Sequence, residues 1–163
     1  MTMSTNQKGA IAETAITLAA LEAGIDVYRP VAEGGRFDLI FALPGGILSR
    51  VQCKWANLVR GAVVVRMRSM RRAAEGMRTR VYTADEIDAI AVYCAATGDC
   101  YYLPVAEIGG RKVVHLRTEA ARNGQRKRLH FAEQYRLGAI AQLGERLAGS
   151  QKVAGSSPAS SIA

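Results

Sequence analysis

The chain has 163 residues, 49% of them hydrophobic, and a formal net charge of +8; the length favours a single domain. No apolar run reaches the roughly 18 residues of a membrane span, and the start, "MTMSTNQKG", lacks the charged and then apolar pattern of a secretory signal. The cysteines Cys53, Cys94 and Cys100 are odd in number and form no CxxC, which fits a reducing cytoplasm better than a disulfide framework; a bridge between Cys94 and Cys100 across a hairpin is the lesser alternative.

Residues 7–23, "QKGAIAETAITLAALEA", predict a helix. Alanine is abundant, Ile11, Ala15, Leu18 and Glu22 share a stripe with Ile16, Ala19 and Ala20 beside it, and Gly24 is a C-terminal stop. Residues 25–31 alternate as a short strand with Pro30 near its end. Residues 36–43, "RFDLIFAL", alternate with Phe37, Leu39 and Phe41 on one face and Asp38 and Ile40 on the other. The turn "PGG" at 44–46 leads to a partner strand at 47–56. There Val51, Cys53 and Trp55 share a face, Gln52 and Lys54 the opposite one, and Trp55 reads as core rather than as a base-stacking platform. A third strand spans 61–69, and the polar, basic residues 70–80 read as a loop or a mobile segment. Thr83 with Glu86 matches a capping box for a helical turn over 83–89. Residues 90–96 and 100–105 form a hairpin about "TGD", 112–117 is a further strand, and 130–137 a final helical turn. The order implies an α+β domain around a mixed sheet.

The charge is unevenly placed. Between Lys54 and Tyr82 there are eight basic residues (Lys54, Arg60, Arg66, Arg68, Arg71, Arg72, Arg78 and Arg80) against one acid, Glu75. Seven are arginine, whose planar fork suits phosphate and guanine. Arg122, Arg126, Lys127 and Arg128 form a second run. Such stripes predict attraction to polyanions.

The strand pair carries an anomaly. Asp38, Gln52 and Lys54 lie within hydrophobic runs, where an unpartnered charge is costly. Glu13, a carboxylate among small apolar neighbours of the first helix, is placed to join them at one end of the sheet. Two carboxylates and an amide oxygen suit a hard cation such as Mg²⁺, which takes few protein oxygens and keeps several waters. A lysine beside it can orient a water or stabilise charge on a phosphate. Within a basic surface, the set reads as metal-dependent phosphodiester hydrolysis. Taken singly, Asp38 and Lys54 also fit a cross-strand ion pair, and Glu13 and Gln52 solvated positions. His115 and His130, isolated from one another and from Cys or Asp partners, make no zinc site. No GxxxxGK loop occurs, so a nucleotide cofactor is not expected.

The pattern Glu13, Asp38, then Gln52-Cys53-Lys54 resembles the PD-(D/E)XK nuclease superfamily, whose motifs run E…D…(D/E)xK. "NQKGAIAETAITLAALEAGIDVYRPVAEGGRFDLIF" and "VQCKWANL…GAVVVRMRS" resemble more closely its group I intron-encoded homing endonucleases, over roughly residues 6 to 137. Phe37 stands where the wider superfamily often has proline, and Gln52 where it has an acid; the homing branch is known for that glutamine. The resemblance implies a restriction-endonuclease-like α/β/α core whose central mixed sheet is flanked by helices. It implies Glu13 and Asp38 as metal ligands with the Cys53 carbonyl, Gln52 supporting the metal site, and Lys54 assisting water or phosphate. The cofactor would be Mg²⁺, with Mn²⁺ as a substitute, and the substrate double-stranded DNA, contacted by Arg66, Arg68, Arg71, Arg72, Arg78, Arg80, Arg126, Lys127 and Arg128. A domain this small would need a homo-oligomer, a dimer or tetramer, to read a long site, with the tyrosine-rich hairpin 90–105 as a candidate interface or else core. No membrane role is expected, and the location would be cytoplasmic, on the nucleoid when bound to DNA. A Holliday-junction resolvase of the same superfamily and an inactive DNA-binding relative are the alternatives.

Residues 138–163 differ in kind from residues 1–137. The final part is rich in Ser, Ala and Gly, a composition that predicts disorder. "GAIAQLGER" and "AGSSPA" back-translate compatibly with the D-arm and T-arm of a tRNA gene, which points to a reading frame running through one rather than to an ordinary low-complexity tail.

Overall fold

The computed structural model of the chain describes residues 2–32, 34–108, 110–119 and 129–140, with the main chain alone at 71–73. The first helix, α1 (Thr5–Glu22), starts at a capping box: the Ser4 hydroxyl accepts from the Gln7 N–H at 3.2 Å and the Gln7 side chain from the Ser4 N–H at 2.8 Å. It ends at Gly24, left-handed at φ 75°, with Ile25 N–H returning to the Ala20 carbonyl and Gly24 N–H to that of Leu21. These are the two bonds of a Schellman stop. The buried stripe is Ala12, Ile16 and Ala20, while Ile11 and Leu18 are exposed. The helix is rotated from the stripe read in the sequence because its alanines let the backbone lie close on the sheet.

Strands β1 (Asp26–Tyr28), β2 (Leu39–Leu43) and β3 (Ile47–Val59) form an antiparallel meander. β3 is the hub. Its first part pairs with β2 on one side and, in parallel, with β7 (Ala89–Cys94) on the other; its last three residues pair with β4 (Ala62–Arg66). β7 pairs with β8 (Asp99–Pro104), and β4 with β9 (Val113–Arg117), which β10 (His130–Phe131) extends. Among the described residues this makes one mixed, branched sheet of eight strands. β7 is buried on both faces. Ala89 and Ala91 join the core under α1 with Phe41, Val51 and Tyr102; Ile90, Val92 and Cys94 join the opposite core with Val63, Leu103 and Leu116. The short helix α2 (Val105–Ile108) adds Val105 and Ile108 to that second core.

Several expectations are corrected. The strand read at 61–69 divides at Met67, which turns into the core, and β5 (Arg68–Ala73) begins beyond it. Residues 70–80 are not a loop: β5 and β6 (Gly76–Val81) form an antiparallel ribbon. An exposed two-stranded ribbon has no buried face, so no alternation marks it in the sequence. Residues 83–87 make the single turn expected, in which Glu86 and Ile87 N–H both reach the Thr83 carbonyl, the second by the i to i+4 bond of a helix, but it does not continue into a helix. The Glu86 carboxylate takes the Thr83 N–H, one half of the capping box read in the sequence, and also pairs with Arg36 and Arg80. Residues 130–139 comprise β10 and two 3₁₀ turns.

Cys94 and Cys100 lie in opposite cores, and all three cysteines are free. Tyr101 and Tyr102 are buried, so the hairpin is core at those positions. Residues 138–140 belong to the fold, since Ile140 is buried under α1; residues 141–163 of the tail lie outside the described residues.

Candidate active site

Asp38 stands immediately before β2, its N–H bonded to the Val51 carbonyl at 2.9 Å. Its Oδ2 accepts the Cys53 N–H at 2.8 Å and a short bond from Gln52 Nε2. The carboxylate thereby stands in for the main-chain acceptor that β3 lacks where β2 ends. One oxygen takes both donors, so Oδ1 has no hydrogen-bond partner among the described residues. The Gln52 amide must turn its nitrogen to Asp38, because two oxygens would repel. Nε2 also reaches the Cys53 carbonyl at 3.3 Å, and Oε1 is left without a partner among the described residues. β3 alternates, so Cys53 enters the α1 core and Gln52 and Lys54 take the other face.

Lys54 Nζ donates to the Arg68 carbonyl at 3.1 Å and lies 5.1 Å from the Tyr82 ring centroid. Arg36 Cζ sits 4.4 Å from the same ring centroid, and its guanidinium bonds Ser69 Oγ at 2.9 Å and Glu86 Oε2 at 2.9 Å. Both cations thus tie the root of the β5–β6 ribbon to the strand pair. From α1, Glu13 accepts from Arg29 at 3.2 Å, a partly exposed ion pair. Such a pair contributes about 0–1 kcal/mol, so little opposes its exchange for another cation.

Glu13, Asp38, Gln52 and Lys54 line one cavity of about 680 Å³, together with Arg29, Arg36, Ser69, Met70 and Tyr82. The four predicted residues are therefore brought together. Arg29, Arg36, Ser69 and Tyr82 are cavity residues that the sequence reading missed. Arg36 alone carried a signal, two positions before Asp38; the others arrive through tertiary placement.

The electrostatics match a site built for a charged guest. Burial raises the Asp38 pKa; the Cys53 N–H opposes this and the Glu13 charge adds to it. Burial lowers the Lys54 pKa; Asp38 opposes this and Arg36 adds to it. Two carboxylates that repel, one with an uncommitted oxygen, favour a cation between them. Asp38 Oδ1, Glu13 and the uncommitted Gln52 oxygen fit a cation that keeps several waters. No group of three or more His, Cys, Asp or Glu is placed to hold a metal among the described residues, so a full set would draw on main-chain or amide oxygens.

Of the predicted DNA-contacting residues, Arg66, Arg78 and Arg80 are exposed and Arg68 is half-buried. Arg71 and Arg72 lie on β5, described by main chain alone, and Arg126, Lys127 and Arg128 lie outside the described residues. Trp55 is partly buried on the α1 core, edge-on to Tyr93 at 5.5 Å.

A model of the PD-(D/E)XK endonuclease family matches residues 3–138. Among solved structures, a bacterial homing endonuclease, I-Ssp6803I, superposes with a TM-score of 0.68 at 23% identity, covering 95% of this chain and 100% of that one. The fold is restriction-endonuclease-like. No curated protein matches. The family match takes in α1, the strand pair and the ribbon, with Glu13, Asp38, Gln52 and Lys54 all inside it, and the chain belongs to the PD-(D/E)XK endonuclease family.

Proposed function

We propose that this nuclease is a Mg²⁺-dependent, site-specific double-strand DNA endonuclease, the homing endonuclease of a mobile element, with Mn²⁺ as a working substitute. The observation that carries the reading is the meeting of Glu13, Asp38, Gln52 and Lys54 on one cavity rimmed by Arg29 and Arg36. A bound Mg²⁺ would acidify a coordinated water and neutralise charge on the scissile phosphate. Asp38 through Oδ1 and Glu13 would hold it, with the Gln52 amide oxygen and the Cys53 carbonyl, which also accepts from Gln52 Nε2, as further oxygens. Gln52 fixes the Asp38 carboxylate through its amide and contributes polarity without a second negative charge on β3. Lys54, with its pKa lowered by burial, orients the water, takes or returns a proton, or donates to a phosphate oxygen.

The β5–β6 ribbon, rooted at the cavity, has the width of a two-stranded element that enters the major groove. Arg66, Arg68, Arg71, Arg72, Arg78 and Arg80 would contact DNA along it, with Arg126, Lys127 and Arg128 adding a further basic run. A homo-oligomer, dimer or tetramer, would read a long site and cut both strands, in the cytoplasm and on the nucleoid. The homing role draws support from the solved homing endonuclease and from the tRNA-like tail.

Incubating the full chain with a randomised duplex library in Mg²⁺ and sequencing the cut ends tests this. A discrete set of cut sites is expected, with Asp38→Ala and Lys54→Ala at least about 10²-fold slower. Absence of cutting, or equal cutting by both variants, overturns the reading; cutting of four-way junctions alone assigns the chain to resolvases instead.

A further inference from the structure

A second cavity, of about 560 Å³, lies at the far end of β3 and is lined by Arg60, Arg111, Arg117, His115 and His130 against aliphatic walls from β3, β4 and β9. No Asp or Glu is among the described residues lining it. Arg29 is neutralised by Glu13, Arg36 by Glu86, Arg50 by Asp88 and Arg136 by Asp99, whereas Arg66 and Arg68 on the basic stripe have no ion pair among the described residues and Arg68 Nε is buried without a partner. Among the described residues none of these three cavity arginines has an ion pair, and Arg117 Nε is buried with no hydrogen-bond partner.

Two further features show a built site. His130 Nε2 lies 2.8 Å from an Arg111 nitrogen, which can only donate, so Nε2 accepts and Nδ1 carries the proton toward the Tyr135 hydroxyl at 2.7 Å. The neutral imidazole thereby positions the Arg111 guanidinium. Glu107 is felt at His130 but does not line the cavity. Arg60 is the one non-glycine at positive φ among the described residues, at 49°, followed by Gly61 at 72°. This two-residue turn favours Asn-Gly, and arginine there is conformationally disfavoured. A residue held against its backbone preference beside a cavity that it lines supports a functional reading of that cavity.

We infer that this cavity is a second phosphate site, taking a backbone phosphate of duplex DNA; the source of the phosphate rests on the nuclease reading. Lys54 and Val59 lie five residues apart on β3, a span of about 17 Å. The odd separation turns Val59 to the face of β3 opposite Lys54, so a phosphate held here is distinct from the one at the Asp38 cavity. A backbone held here would set the register and angle of the DNA while carrying no sequence information.

His115 and His130 are the chain's two histidines, so imidazole resonances of the full chain report on this cavity. They are followed during titration with duplex DNA in EDTA and, separately, with inorganic phosphate, while duplex affinity is measured across a salt series for the parent and Arg60→Asn. Asparagine suits the left-handed turn, so the variant should melt no lower than the parent, which separates lost contact from misfolding. The expected result is that duplex shifts both imidazoles. Arg60→Asn should bind duplex several-fold more weakly, with a salt slope shallower by about 0.9, the loss of one phosphate contact. Shifts with inorganic phosphate but not duplex would overturn the backbone assignment, and no shift with either, or an unchanged slope, would overturn the site. Cleavage of the same duplex in Mg²⁺ is scored separately: a chain that seats DNA here and never cuts fails the nuclease reading and leaves the phosphate site standing.

Discussion

Replacing Asp38 by asparagine separates the two roles that this residue combines. Oδ2 takes both protein donors while Oδ1 has none among the described residues. An asparagine oxygen can therefore occupy the Oδ2 position, leaving an NH₂ where the uncommitted oxygen was. The Cys53 N–H and Gln52 amide keep an acceptor. Each bond loses its charge assistance, worth about 1 kcal/mol. Against this, the variant no longer buries a carboxylate whose pKa is raised by burial and by Glu13. The two effects oppose, so net stability changes by about 1 kcal/mol or less, about 2–4 °C in Tm for a domain of this class. Catalysis has no such offset, because the atom proposed to face the cation becomes a donor. A loss of about 10²–10³-fold or more is expected, equivalent to about 3–4 kcal/mol of barrier. The pH dependence follows from sign. A carboxyl whose folded pKa is raised contributes its stability at low pH and loses it as pH rises through that pKa. The Tm of Asp38→Asn relative to the parent should therefore improve between acid and neutral pH. Calorimetry across pH and cleavage of a selected duplex are the assays. A melting loss above about 10 °C, or cleavage at the parent rate, would refute the division of labour between the two oxygens.

Lys54→Arg should bind duplex normally yet cut at least about 10²-fold more slowly, because guanidinium cannot release a proton near neutral pH; single-turnover rates beside anisotropy titrations check it. Gln52→Glu turns a donor toward Asp38 into a second repelling oxygen. It should fold but lose about 1–3 kcal/mol in EDTA, recover more than the parent on adding Mg²⁺, and show altered Mg²⁺ and Mn²⁺ titrations. Arg36→Ala removes the bonds to Ser69 and Glu86 and the stacking on Tyr82; amide exchange should accelerate in β5–β6 while the β7–β8 hairpin stays protected. Tyr102→Phe leaves the buried Ser49 hydroxyl without the partner it has at 2.7 Å. Its expected cost is about 1–3 kcal/mol by denaturant unfolding, with cleavage rates unchanged.

The core strands were legible because burial writes itself into the sequence. Val51 and Cys53 alternate with Arg50, Gln52 and Lys54, and Leu39 to Leu43 and Ala89 to Cys94 read as continuous apolar runs, the second buried on both faces. The ribbon was illegible for the converse reason: β6 is exposed along most of its length, so nothing alternates. The Thr83–Glu86 contact was legible because a capping-box spacing is local, while the share that Arg36 takes of the same carboxylate was not, since Arg36 is distant in sequence. The helix stripe was rotated because small size, not hydrophobicity, decides which face of an alanine-rich helix approaches a sheet. In the site, Asp38, Gln52 and Lys54 stood out as polar residues within hydrophobic runs. Arg29, Ser69 and Tyr82 did not, since their place beside the cavity depends on where the ribbon and the β1 loop fold back.

Paramagnetic broadening by Mn²⁺ on the full chain tests the central claim most directly, because it locates the metal without relying on cleavage. Substoichiometric Mn²⁺ should broaden amide signals around Glu13, Asp38 and Gln52–Lys54 first, Mg²⁺ should reverse this, and Asp38→Asn should abolish it. Broadening centred elsewhere, or unchanged in Asp38→Asn, would contradict the assignment of these residues as the metal centre.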